Sequence, residues 1–399
     1  MTITAQNISF GYSSAKKILN EINLEVKEGL FVSLIGANGA GKSTLLKCLM
    51  HLLKPQTGSV LINQKNLNNL DESEIAKLRS SVLSDRIYPF NMTVNEIISL
   101  GRHPHQTLLG KINNEDKKTI NEIVNMLEIK DLFYRKFSEL SDGQKQKVLI
   151  ARAIVQEPKV LLLDEPATHL DAKSRIEILL KLRDVVKMKK IIVIASMHEI
   201  EISYRISDKI IILDDGDIKA KDFPEEVFRN GTVQSVYNIS KIVWNPVFGS
   251  LELKAIKKEF PKVHVVGGFG TAVPIYRLLS RLGVSFSTGI LDQIDVDFCL
   301  AKTMDAKIFS NSTPYERLTI NDEIVSDLRG VEVVIDAGFP INDNTNPNVE
   351  LIKKMAQKCT VFSLRKEQDC QHIFENNNMK TGNICQLEEF LTNFVELNK

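Results

Sequence analysis

Residues 36–44 read Gly-Ala-Asn-Gly-Ala-Gly-Lys-Ser-Thr, and two carboxylates, Asp164 and Glu165, close the apolar run 160–163. Residue types in these two patterns predict nucleoside-triphosphate chemistry. Gly36, Gly39 and Gly41 permit turns that side chains would forbid. The N–H groups from Gly36 through Ala37, Asn38, Gly39, Ala40 and Gly41 can then face one set of phosphate oxygens, with the positive end of the next helix behind them. Lys42 brings a charge to the β- and γ-phosphates, Ser43 a hydroxyl for Mg²⁺, and Thr44 completes the pattern. At the second site Asp164 is expected to hold Mg²⁺ through water, and Glu165 to polarise the attacking water as general base.

The elements that must position these groups are legible around them. Leu30 to Ile35 is an apolar strand pattern before the glycine-rich loop, and Leu45 to Leu49 continues a helix after it. Lys159 to Leu163 is a buried-strand pattern, so both carboxylates stand at the carboxyl end of a strand. Ile191 to Met197 is another, with His198 at its end as a candidate γ-phosphate sensor. Leu140 to Lys147 opens a helix and makes Ser141, Gly143 and Gln144 a second anion-binding helix start. One nucleotide cannot occupy both outward-facing loops of one chain, which predicts two copies paired head to tail.

These residues resemble the nucleotide-binding subunit of an ATP-binding cassette transporter, over roughly residues 1 to 250. Gly36 to Thr44 match the Walker A loop, Leu140 to Gln144 the signature, and Leu161 to Glu165 Walker B. Leu170-Asp171 match the D-loop, His198 the switch histidine, and Tyr12 the aromatic that stacks on adenine. The resemblance implies ATP and Mg²⁺ as cofactors and an ATP hydrolase working as a homodimer or with a paralogue. It also implies transmembrane permease subunits and, indirectly, an extracytoplasmic binding protein. Two positions depart from the pattern. Asp142 stands where a glycine is usual, and Asp85 where the Q-loop glutamine is expected, as a carboxylate that can still reach Mg²⁺. The segment from Phe90 to Leu100 followed by Gly101-Arg102-His103-Pro104-His105 resembles ATPases of iron-siderophore, haem and vitamin B12 importers. Tyr88, Pro89 and Phe90 are then a contact surface for the permease.

Composition agrees. The 399 residues are 43% hydrophobic and 25% charged with net charge +1, enough for two cores and without general attraction for nucleic acid. No apolar run approaches membrane-spanning length, and no export signal begins the chain, so the expected place is the cytoplasmic face of the membrane, reached through the permease. The five cysteines are scattered and read as reduced thiols.

The expected fold is α/β: a P-loop ATPase with a mixed sheet and a helical subdomain over residues 1–252, a linker at 253–262, and a smaller Rossmann-like parallel domain over 263–399. Strands are expected at 2–10, 21–27, 30–35, 160–164, 191–196 and 209–213, and helix over 115–156. In the last domain Gly268-Phe269-Gly270 resembles a dinucleotide fingerprint with Val273 in the third glycine's place, and Asp292 lies near the usual position of a ribose-binding acid. Asp295 and Asp297 read as surface or helix-capping groups. A soluble ATPase of the same superfamily, or an importer ATPase gated by a ligand-sensing C-terminal domain, is the alternative.

Overall fold

The computed structural model describes all residues except 14–15, 84–90, 107–111, 230, 238–239, 312, 315–317, 321, 344, 375–378 and 398–399. Asp85 and the segment Tyr88 to Phe90 therefore lie outside the described residues. The chain forms two compact units, Met1–Asn238 and Ile239–Lys399.

In the first unit, strand order along the six-stranded sheet is Asp217–Asp222, Lys209–Asp214, Phe31–Ile35, Ile192–Ser196, Val160–Leu163 and Arg79–Val82. The first two pair antiparallel and the others parallel. The central strands are buried along their whole length, and their mostly apolar sequences suit a sheet covered on both faces. A four-stranded antiparallel sheet of Leu19–Lys27, Thr2–Phe10, Thr57–Ile62 and Lys65–Asn66 packs over the helix Lys42–Leu49. Ile3, Leu24 and Val60 from that sheet share one core with Leu45 and Leu49 of the helix and Val32 and Leu162 of the larger sheet. The helix that follows the glycine loop is thus clamped between two sheets, which fixes where its N-terminus points.

The expected helix over 115–156 is two helices, Asn114–Met126 and Asp142–Val155. The break has local causes. Glu128 turns left-handed at φ 55°, and Ser141 starts the second helix through a capping box with Gln144.

The second unit has six parallel strands, ordered Lys307–Ser310, Phe286–Leu291, Val263–Val266, Val333–Asp336, Thr360–Ser363 and Lys380–Thr381. Numbered along the chain this is 3-2-1-4-5-6, the Rossmann order, with its switch point between Val263–Val266 and Val333–Asp336. Alternate residues feed two cores. Val263, Val265, Val333 and Ile335 pack with the helix Val273–Leu282, whereas Val266 and Val334 pack with the helix Asn346–Met355.

The division between units falls before the expected boundary at 252. The hairpin Ile242–Asn245/Ser250–Leu253 belongs to the second unit: buried Glu252 pairs with Arg277 through Nε at 3.0 Å, and Phe248 packs on that unit's core. Residues 254–258 of the expected linker are irregular, and Ala255 donates its N–H to Met304 O at 2.8 Å.

Candidate active site

Three adjacent parallel strands end at one level. Leu34 pairs with Ser196, and Leu163 with Ala195, so the loops after Ile35, Leu163 and Ser196 emerge side by side. This register brings the glycine loop, Asp164-Glu165 and His198 together from positions far apart in sequence.

The loop itself needs its glycines. Gly36 has φ 155°, and a Cβ there would lie 2.0 Å from Leu213 O; Gly41 caps the helix at φ 100°. Lys42, 6% exposed, folds back to donate Nζ–H to Gly36 O at 2.8 Å and Ala37 O at 3.0 Å. Burial pulls its pKa below the ordinary lysine value, while Glu165 and Asp164 oppose the shift by attraction. A cation is therefore held within a ring of backbone groups.

Ser43 Oγ donates to Asp164 Oδ1 at 3.1 Å. The same carboxylate oxygen accepts from Ser196 Oγ at 2.8 Å, and Ser196 Oγ accepts from Glu165 N–H at 2.8 Å. Ser196 is fully buried and is a hub that the sequence analysis missed. Its signal was present: it is the polar residue closing an otherwise apolar strand. Ser43 and Asp164 present hard oxygen donors that suit Mg²⁺, which takes oxygen ligands in an octahedron. Asp85, the third expected oxygen donor, lies outside the described residues.

Glu165 sits at φ 52°, an uncommon conformation for a residue with a side chain and one found where a site over-determines its backbone. His198 Nε2–H donates to Glu165 Oε1 at 2.6 Å. Burial raises the Glu165 pKa, but the His198 hydrogen bond and charge, Thr168 and Lys42 together bring it below the ordinary carboxylate range. The group is an ionised acceptor, partly open to solvent at 27% exposure.

The remaining expected residues are distributed around this centre. Tyr12 is 66% exposed and edge-on to Phe10, with ring centroids 5.1 Å apart. Its neighbour Phe10 accepts from Ile18 N–H at 2.7 Å, and Ile18 presents its carbonyl 3.1 Å from where a Gly41 Cβ would stand. Ser141 is exposed and its Oγ accepts from Gln144 N–H at 3.4 Å. Gly143 is buried for a packing reason: a Cβ would meet Ser174 Oγ at 2.9 Å on the helix Ala172–Lys189. Asp171 caps that helix by accepting from Ser174 N–H at 3.0 Å, and the Ser174 backbone bond lowers its pKa. Arg175 bridges the neighbourhood, donating to Leu170 O at 2.9 Å and pairing with Glu199 at 3.1 Å, one residue beyond His198. Gly36 N–H donates to Tyr237 Oη at 3.0 Å, a contact from the end of the unit that no sequence pattern announced. Among the described residues no cluster of three or more His, Cys, Asp or Glu could hold a metal, and His105 Nε2 is instead 2.8 Å from Gln156 O. No helix among them is long and apolar enough to cross a membrane.

Residues 19–168 match the model of the ABC transporter family, and residues 286–389 match that of the MJ0874 family. An uncharacterized ABC transporter ATP-binding protein of Methanocaldococcus jannaschii is 38% identical over 279 residues, which is 70% of this chain and 96% of the relative. A cobalamin import ATP-binding protein of Halobacterium salinarum is 30% identical over 308 residues, 76% of this chain and 77% of that protein. A solved dimeric ABC transporter cassette superposes with a TM-score of 0.50 at 30% identity, covering 56% of this chain and 98% of that one.

Proposed function

Because the chain belongs to the ATP-binding cassette transporter family, we propose that it is the ATPase of an importer for an iron-siderophore, haem or cobalamin-type solute. The observation that carries this reading is the convergence of Lys42, Ser43, Asp164, Glu165 and His198 at the carboxyl ends of three neighbouring strands.

The chain is an ATP hydrolase of the transport type, and its residues divide the work as follows. Gly36 to Thr44 cradle the phosphates, with Lys42 leaving its carbonyl partners for the β/γ-phosphate oxygens. Ser43 and Asp164 would hold Mg²⁺, which would supply positive charge against the phosphate oxygens. Ser196 keeps Asp164 and the Glu165 backbone in fixed relation. Glu165 takes the proton of the attacking water. His198, now on Glu165, has the γ-phosphate as a competing acceptor, so that nucleotide arrival frees the base. Tyr12 stacks on adenine. Ser141, Gly143, Gln144 and Asp171 act across the interface of a dimer of this chain or a paralogue, closing over the ATP of the other copy.

The solute enters through separate permease subunits, on whose cytoplasmic side this chain docks, and is delivered by an extracytoplasmic binding protein. The cobalamin import relative and the 90–105 segment support this class of cargo. Uptake of labelled ferric siderophore, haem and cobalamin in cells lacking the chain, restored with the native form or with Glu165→Gln, tests it. Rescue of one solute by the native form alone is expected; unchanged uptake of all three would remove this class of cargo, leaving another imported solute or a non-transport ATPase.

A further inference from the structure

The second unit has a cavity of about 380 Å³ at the carboxyl ends of its strands. It lies beside the switch point, between the turn after Val263–Val266, the end of Phe286–Leu291 and the start of the helix Asn346–Met355. This is where doubly wound sheets bind ligands, and the Gly-rich turn there ordinarily offers its N–H groups to a pyrophosphate. Here those groups are already used. Gly268 N–H donates to Asp297 Oδ2 at 2.7 Å, Ala272 N–H donates to Asp297 at 3.2 Å, and Phe269 N–H donates to Asp295 Oδ2 at 2.8 Å. Gly267 makes the approach possible, since a Cβ there would stand 2.9 Å from Asp297 Oδ2. Asp297 is fully buried, so a built-in carboxylate fills the anion position.

The other half of a nucleotide site is retained. Asp292 follows the second strand and lines the cavity, where an acid hydrogen-bonds ribose hydroxyls in such folds. Phe269, Ile294, Val296 and Leu318 provide apolar walls. Asn348 stiffens the floor: its Oδ1 accepts from Ile290 N–H at 2.9 Å and its Nδ2 donates to Ile290 O at 2.9 Å.

We propose that this cavity binds an unphosphorylated nucleoside, neutral or cationic, with its sugar diol on Asp292 and its base against the apolar walls, and that Asp295 and Asp297 exclude phosphorylated forms. The site is separate from the ATP loop of the first unit, and the inference does not depend on the importer reading.

The test uses the full chain with its first unit saturated by Mg²⁺ and a non-hydrolysable ATP analogue, and follows labelled adenosine by equilibrium dialysis. One saturable site below about 1 mM is expected. AMP should bind at least roughly tenfold more weakly, because its phosphate meets two carboxylates. Removing the diol, as 2′,3′-dideoxyadenosine, or the acid, as Asp292→Ala, should each cost roughly tenfold or more. Absence of saturation by adenosine overturns the proposal, as does AMP or NAD⁺ binding as well as adenosine. A retained unfolding transition of the second unit in the Asp292→Ala chain shows that the unit carrying the cavity is folded, and dideoxyadenosine tests the same contact on the native chain.

Discussion

Two glycine-rich turns, at 36–41 and 267–270, each join the end of a buried parallel strand to a helix, and they do opposite things electrostatically. The first contains a buried lysine whose ammonium donates to backbone carbonyls within the loop's own turn, at Gly36 and Ala37, with Asp164 and Glu165 attracting it. The second is met by Asp295 and Asp297 from the start of another helix, whose oxygens take the N–H groups that face the first position of an anion. The same backbone device keeps a lysine at its mouth in one unit, as the proposed phosphate site requires, and is an internal cross-link in the other. What differs is which side chain the rest of the fold brings to the loop.

The largest effect that would sharpen this contrast is on turnover. Glu165→Gln should lower ATP hydrolysis by roughly 10²–10⁴-fold while leaving nucleotide binding in place, since the amide cannot take a proton; phosphate release and equilibrium binding measured on the same sample separate the two. Rapid hydrolysis by the variant would remove Glu165 as general base. Next comes the cationic loop itself: Lys42→Ala should weaken MgATP binding roughly tenfold to a hundredfold by calorimetry, and normal hydrolysis in that variant would break the assignment of the first loop.

The acidic turn should show itself in the pH dependence of the second unit. Burial pushes Asp297 up to about 6, with the Ala272 and Gly268 N–H groups opposing and Asp295 reinforcing the shift. A carboxyl group raised in the folded state adds stability at low pH that is lost as pH rises through about 6. Fully buried His264, between Ser287 Oγ at 2.9 Å and Gly289 O at 3.0 Å, is lowered by burial to about 4. Its contribution has the other sign: it is present above the unfolded value and is lost as pH falls toward about 4. Between these limits the two terms, about 3 kcal/mol each, should nearly cancel in the native chain. Denaturation of Asp297→Asn should then reveal a loss of stability on acidification, and His264→Gln a gain; a flat profile in both would remove the buried ionisations. The smallest effect concerns the first loop's support. Tyr237→Phe removes the acceptor for Gly36 N–H and should cost about 1 kcal/mol in the first unit's unfolding, with no change in the second.

Much of both units was legible because their central strands are short, mostly apolar runs, interrupted only by single residues such as Ser33 and His264, whose burial on two faces leaves little alternative. Peripheral strands were not legible. Thr57–Ile62, Arg79–Val82 and Lys380–Thr381 are short or polar, and they become strands only because an exposed sheet edge is there to pair with. The hairpin Ile242–Leu253 was assigned to the wrong unit for a related reason, as a pattern along the chain does not say which core Phe248 and Glu252 will enter.

At the candidate active site, residue types and spacing alone singled out the glycine loop, the paired carboxylates and the histidine that the structure brings together, because each sits in a particular local conformation at a strand end. Tertiary structure decided what lies between them. Ser196 joins Asp164 to Glu165 because parallel register sets distant strands level, and Tyr237 reaches Gly36 from the end of the helix Thr232–Val236. It also decided that the turn at 267–270 meets carboxylates instead of leaving its N–H groups for phosphate. A backbone N–H takes the nearest suitable acceptor, and that acceptor comes from a helix more than twenty residues further along, placed by packing.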